Sequence, residues 1–419
     1  IQIIAQKKRN LNSDHKFDAH PSFPGVRAET RIANASTHRG GRVIILPMRL
    51  AAHWTRAATL LMLMLVATAQ ASDWDRGVAL YNKAEYRAAL VEFQDIVMER
   101  PDAAGAWYYI GLCEFKLKHY DRVELPLSHA IDLLEIQKPS SADIAAAWYT
   151  IGISHYLQAH YDKAIEPLKT YIELTTKAKR EIDGSARTAL ARAYFFLDRY
   201  DEALPLLASP GNEKPMNGSA ERAKESAANA YYRGAIYFKR EDDDHAIVAL
   251  REALKDNPED TAAMELLAES LMRRAHKPNS NARWSEAAEV GEKLKAVRDD
   301  LKTANILGRA YLGGQRFDSA VAPLEKVAKA NPDNGQAWLY YGIALSRSGQ
   351  MRKAMEALEI TIQLIPDSIP ALSELGYVYE ADKQYQQALR IYEKAFAASG
   401  DPDIKTKADR VRALASQQP

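Results

Sequence analysis

Histidine, cysteine and clustered carboxylates are the side chains with which this chain could do nucleophilic, acid–base or metal chemistry, and their spacing gives them little to work with. His119, His129, His155, His160 and His245 are scattered, and none lies four residues from another, the separation that sets two ligands on one face of a helix. No His-Glu-x-x-His sequence occurs, so the arrangement of a helix-borne zinc hydrolase is missing. Cys113 is the only cysteine, which leaves no intrachain disulfide and no cysteine-built zinc site or iron–sulfur cluster. It follows Gly111 and Leu112 in a dense helical pattern and reads as a buried, inert thiol. The acidic run Glu241 to Asp244 could attract a cation, but it lacks the ligand alternation and the glycine of a calcium loop and reads as a solvated turn. The expectation is therefore no catalytic residue, no metal site, no cofactor and no enzymatic activity.

The elements that would position such residues are helices. The chain has 419 residues, 47% apolar and 26% charged, ordinary for a folded protein with a large core. Ala, Leu, Glu, Lys and Arg are abundant while Val and Thr are sparse, a balance that favours helix because straight side chains lose little rotamer freedom there. The formal net charge of +1 hides an asymmetry: residues 1–71 hold ten of the 56 basic but three of the 55 acidic residues, so the remainder carries −6. A mildly acidic body lacks the concentrated basic face of a nucleic-acid binder, and that class of partner is set aside.

Met48 opens a segment in which Arg49 and Arg56 are followed by an uncharged apolar run, Ala57 to Ala69, and then by Ala69-Gln70-Ala71. This is the layout of a secretory signal peptide over 48–71, with cleavage expected between Ala71 and Ser72. The run is too short to cross ~30 Å of hydrocarbon at ~1.5 Å per residue, so no membrane span is expected after cleavage. Residues 1–47 begin with Ile1, lack helical periodicity and are expected to be a non-native or disordered upstream extension, with Met48 the true start.

From Trp74 onward one pattern returns: a small residue, an aromatic nine later, an alanine three after that, and an apolar residue four further on. The small residue is Gly77, Gly111, Gly152, Ala191, Gly234, Ala268, Gly308, Gly342 and Gly376, at spacings of 34, 41, 39, 43, 34, 40, 34 and 34. The aromatic is Tyr86, Tyr120, Tyr161, Tyr200, Trp284, Phe317 and Tyr385, with Asp243 and Met351 departing from it. The second small residue is Ala89, Ala164, Ala203, Ala246, Ala287, Ala320, Ala354 and Ala388, with Val123 the bulkier exception. Two antiparallel helices approach closely only where small residues meet, so these glycines are packing residues rather than phosphate cradles. Pro101, Pro258, Pro332 and Pro366 should end second helices, because proline lacks the amide proton and clashes with the preceding turn. Arg273 to Arg283 reads as a polar loop insertion, and Ile404, Ala408, Val411 and Leu414 fall on one face of a final helix.

The copy at Trp338, Tyr341-Gly342, Leu345, Met351, Ala354, Leu358 and Pro366 resembles the tetratricopeptide repeat closely, and 34 residues is that family's period. The resemblance implies an all-α, right-handed superhelical solenoid of about nine helix-turn-helix repeats with a capping helix. An N-terminal block over 72–208, a loop and possible hinge over 209–219, a C-terminal block over 220–401 and a cap and tail over 402–419 are the expected divisions. It also implies a concave face built from the first helix of each pair. Contact positions there hold Tyr108 and Phe115, Tyr149 and Tyr156, Phe195, and Tyr231 and Phe238, with Arg192, Lys239, Lys302, Asn305, Arg309 and Arg347 beside them. An aromatic-lined groove suits an extended peptide or a helix. The alternative is that these rings, which belong to the general repeat pattern, only pack helix on helix. The function expected is that of a periplasmic or cell-envelope scaffold that binds partner proteins; the alternative is a carrier module for polysaccharide or peptidoglycan.

Overall fold

The computed structural model describes residues 73–138, 142–207, 219–277 and 282–417, all helix and connecting turn. The expected signal peptide, its cleavage site at Ala71 and Ser72, and all but Ser219 of the expected hinge lie outside the described residues. Two compact units divide the chain at 178 and 179.

In the first unit α1 (73–82) pairs with α2 (Tyr86–Glu99), α3 (Ala104–Lys116) with α4 (Glu124–Gln137), and α5 (Ala142–Leu157) with α6 (Tyr161–Lys177). In the second unit the pairs are α7 (Gly184–Phe196) and α8 (Tyr200–Leu207), α9 (Ser219–Lys239) and α10 (Asp243–Asp256), α11 (Thr261–Ala275) and α12 (Ala282–Val297), α13 (Leu301–Gly313) and α14 (Phe317–Ala330), α15 (Gly335–Arg347) and α16 (Met351–Leu364), and α17 (Ile369–Ala381) and α18 (Tyr385–Ser399). A last helix, α19 (Pro402–Ala415), packs on α18 and buries Ile404, Ala408 and Val411, as a terminal cap must. The fold is a solenoid of stacked helix pairs, each pair one repeat.

The glycine register explains the pairing. A methyl group on Gly111 would stand 2.4 Å from the Leu127 side chain, and one on Gly152 would stand 2.6 Å from that of Leu168 and 3.1 Å from its backbone nitrogen. Gly234 meets Leu250, Gly308 meets Leu324, Gly342 meets Leu358 and Gly376 meets Tyr392 in the same way. Each first helix thus accepts, in the space of a missing side chain, the apolar residue that the sequence repeats sixteen positions later. Mid-helix glycine costs ~1 kcal/mol against alanine. A fully buried leucine returns about 1.5–3 kcal/mol, which settles the balance.

The turn inside each pair is as regular. The N–H of His119 bonds the carbonyl of Glu114 at 2.9 Å and that of His160 the carbonyl of His155 at 2.9 Å; in the second unit Arg199 bonds Tyr194 at 2.9 Å and Arg316 bonds Tyr311 at 2.8 Å. This closure requires the residue before the donor to be left-handed, and it is: Lys118, Ala159, Asp198 and Gln315 have φ between 57° and 63°, and Gly349 has 79°. Between repeats the chain re-enters helix under side-chain caps, with Asp183, Asp260, Asp300, Asn334 and Ser368 accepting first-turn N–H groups. Trp107 and Trp338, at one register of their repeats, donate their indole N–H to the carbonyls of Pro101 and Pro332 at 2.8 and 3.0 Å, tying each first helix to its incoming turn. The insertion read over Arg273 to Arg283 is narrower than expected: α11 stays helical to Ala275, because Arg273 and Arg274 are held by partners on the preceding repeat.

Candidate functional site

Within each unit the first helices of neighbouring repeats touch one another: α3 touches α5, and in the second unit contact runs from α7 to α9, α11, α13, α15 and α17. The first helices therefore lie on the more closely spaced side of each stack, and their outward positions form one continuous face per unit. Onto that face the sequence placed the aromatic contact residues and the basic residues beside them.

In the first unit these residues divide by depth. Tyr108 and Tyr149 are 7% and 9% exposed. Tyr108 packs among Ile144 and Ile151, and the ring of Tyr149 lies 5.2 Å from that of Tyr171. Burial raises the proton affinity of Tyr108 well above the phenol's ordinary value. Phe115 and Tyr156 are only half-buried. Each pairs with the aromatic that opens the second helix, Phe115 with Tyr120 at 5.6 Å and Tyr156 with Tyr161 at 5.9 Å, at interplanar angles of 59° and 58°. Burial pushes the Tyr161 hydroxyl up to about 12. Two consecutive repeats therefore show the same ring pair in the same pose.

In the second unit Phe195 pairs with Tyr200 at 6.0 Å and a smaller angle of 47°, but it is 9% exposed and wedged edge-on against Tyr232 at 5.0 Å. Arg192, 5% exposed, lies over the Tyr232 ring at 4.9 Å. Tyr231 is half-buried, edge-on to Tyr232 at 5.2 Å, and burial raises its proton affinity strongly. Phe238 is half-buried beneath Arg273, whose guanidinium sits 3.9 Å from the ring centre and donates to the Phe238 carbonyl at 2.9 Å. Arg309 donates to Glu269 of the preceding repeat at 2.7 Å. Arg347 and Ser346 both donate to Glu374 of the following repeat at 2.7 Å, and Arg298 bonds Glu265. Arg309 and Arg347 of this face are thus neutralised by acidic side chains on neighbouring repeats.

The acidic run has the same fate. Asp243, 3% exposed, accepts from Arg273 Nε at 2.8 Å, and Asp244 accepts from Arg274 Nε at 2.8 Å, which holds the Asp244 carboxyl below its ordinary range. The run read as a solvated turn is an inter-repeat clamp. The arginines that hold it follow it by 30 residues, and only the stacking of repeats brings them together. Cys113 is fully buried, and burial pushes its thiol up to about 12, so it is protonated and unreactive at neutral pH. Among the described residues no three His, Cys, Asp or Glu side chains are placed to share a metal ion, and no helix is long and apolar enough to cross a membrane.

A family model of the tetratricopeptide repeat matches residues 70–122 and 307–369, and a second matches 371–406. No curated protein matches the chain. Among solved structures the chain is similar to "MamA MSR-1 C2", at 24% identity over 42% of this chain and 97% of that one, with a TM-score of 0.38. It is also similar to YrrB, described as a TPR protein with an unusual peptide-binding site, at 16% identity over 46% of this chain and 98% of that one, with a TM-score of 0.40.

Proposed function

We propose that this chain, a tetratricopeptide-repeat protein, is a non-enzymatic scaffold of the cell envelope that holds an extended peptide or a helix of a partner protein against the face of its first helices. Stacked repeats offer a long, regular surface whose framework is fixed by small-residue packing while its outward side chains are free to vary, and protein–protein interaction is the role that such a surface serves. The observation that carries the reading is the repeated ring pair in the first unit, Phe115 with Tyr120 and Tyr156 with Tyr161. Rings already held by a neighbour and still half-open to solvent give a partner apolar area at little further loss of side-chain freedom. Tyr108 and Tyr149 support that surface from beneath. The paired state of Arg309 and Arg347 favours apolar anchoring over capture of a partner's carboxylate, because an incoming acid would have to displace Glu269 or Glu374.

The test compares the parent chain with a Phe115→Ala, Tyr156→Ala double variant, each immobilised and exposed to solubilised envelope, with circular dichroism to verify equal helicity. A protein retained by the parent should lose about 2 kcal/mol of affinity per anchoring ring removed. Equal retention by both overturns the placement of the groove, and retention that survives protease treatment of the ligand points instead to a polysaccharide. Export is supported by the pattern from Met48 to Ala71. It is tested by mass spectrometry of the native amino terminus: Ser72 in a periplasmic fraction agrees with it, and an intact leader in the cytosol overturns it.

A further inference from the structure

One register of the repeat carries the carbonyl that closes the turn inside each pair. Leu80, Tyr194, Tyr237, Tyr311, Leu345 and Tyr379 occupy it in six repeats, each accepting an N–H from five residues on. The second and third repeats depart, with Glu114 and His155 at this register, both buried. Glu114 has a partner close by, since His119 Nδ1 lies 2.6 Å from its carboxylate. His155 is differently placed. It is 6% exposed, its Nε2 lies 3.3 Å from Glu124 Oε2 at the start of α4, and its Nδ1 has no hydrogen-bond partner among the described residues. The hydroxyls beside it are committed to helix carbonyls, Ser154 to Thr150 at 2.7 Å and Thr150 to Ala146 at 2.8 Å.

A neutral imidazole suits this pocket: Nε2 is within reach to donate to the Glu124 carboxylate, and the buried Nδ1 is left with only a lone pair. An imidazolium does not, because its second N–H would be buried without an acceptor. The charged groups around it do not supply one. Glu124 on α4 reaches Nε2 alone and is 60% exposed, so water screens its attraction. His160, Asp162 and Lys163 lie at the start of α6, with the His160 ring 6.3 Å away. The short 3-10 turn 120–122 contributes Asp121 and Arg122, and α3 contributes Glu114, already engaged. We propose that His155 makes the joint between the second and third repeats an acid-sensitive latch, packed while the imidazole is neutral and loosened when a proton enters the seam. Burial, the largest influence, lowers the proton affinity of His155, and Lys163 and His160 act in the same direction against Glu124 and Asp162. A histidine so lowered contributes stability that is complete above the ordinary value of about 6.5 and is lost as the pH falls below it. The direction is thus opening in mild acid.

Hydrogen exchange of the full chain, corrected for the intrinsic pH dependence, tests this between pH 7.5 and pH 5. Amides of α4, α5 and α6 should open severalfold more often at the acid end, while α13 to α17, whose residues 301–381 contain no histidine, should not. His155→Leu should flatten the response of the first unit. Glu124→Gln, at an exposed site that does not threaten folding, should steepen it, because the one charge that welcomes the proton is gone. A parent-like acid response in His155→Leu, or a weaker one in Glu124→Gln, overturns the proposal.

Discussion

The two units solve the same structural problem with different chemistry. Both close each pair with the same backbone bond, from a residue after a left-handed turn to the carbonyl five positions earlier. In two repeats of the second unit that bond lies under an arginine laid on a tyrosine, Arg199 over Tyr194 at 4.6 Å and Arg316 over Tyr311 at 4.4 Å, and in a third His245 stacks on Tyr237 at 5.1 Å. In the second and third repeats of the first unit polar side chains stand there instead, His119 against Glu114 and His155 beside His160. The second unit also ties repeat to repeat with ion pairs on its first helices, whereas the first relies on aromatic clusters such as Phe93 stacked on Tyr109 at 4.7 Å. The difference teaches that glycine packing and turn closure specify the solenoid, and that the side chains over the turn are left open for other purposes.

The largest expected effect breaks what the units share. Gly152→Val in the first and Gly308→Val in the second force a branched side chain against leucines only 2.6 and 2.5 Å from the added Cβ, with the backbone nitrogens of Leu168 and Leu324 next behind at 3.1 and 3.4 Å. Each should cost about 3 kcal/mol or more, read as a fall in the urea midpoint of the unit that carries it. A loss confined to one unit would mean that the register is not the common determinant. Next in size, Arg273→Ala strands the buried Asp243 carboxylate and uncovers Phe238, for about 3 kcal/mol. That loss should appear in the second unit and grow smaller when Asp243→Asn is added, a double-mutant cycle that separates a clamp from simple packing. The smallest effect concerns the turns themselves. Ala159→Gly relieves a left-handed alanine at φ 59° and should stabilise the first unit by about 1 kcal/mol, while Gly349→Ala, with open space around its Cβ, should cost the second unit a similar amount. Equal and opposite midpoint shifts would show that one turn geometry serves both units.

Most of the framework was legible because it is written in local spacing. Gly111 and Leu127, or Gly308 and Leu324, belong to one repeat, and a fixed separation along the chain becomes a fixed contact once two short helices fold back on each other. The capping face of α19 was visible for the same reason, since helical periodicity alone puts Ile404, Ala408 and Val411 on one side. For the contact residues, the sequence identified the first helices on which they sit but not their depth. Tyr108 and Phe115 occupy the same α3, and only the neighbouring repeat buries one and leaves the other half-open. Glu114 and His155 could have been noticed as polar residues at a register otherwise held by leucine and tyrosine.

The sequence by itself determined the helical class, the pairing of helices and the sites of close approach, because these depend on residues within one period of about 34. What only the tertiary structure decided are the relations between repeats. These include the capture of Asp243 by Arg273, the neutralising of Arg309 by Glu269, and the seam that leaves His155 Nδ1 without a partner. Their partners come from different helix pairs, 30 to 40 residues apart, where no fixed spacing announces a contact and where burial, not residue type, sets what a charge or a ring can do.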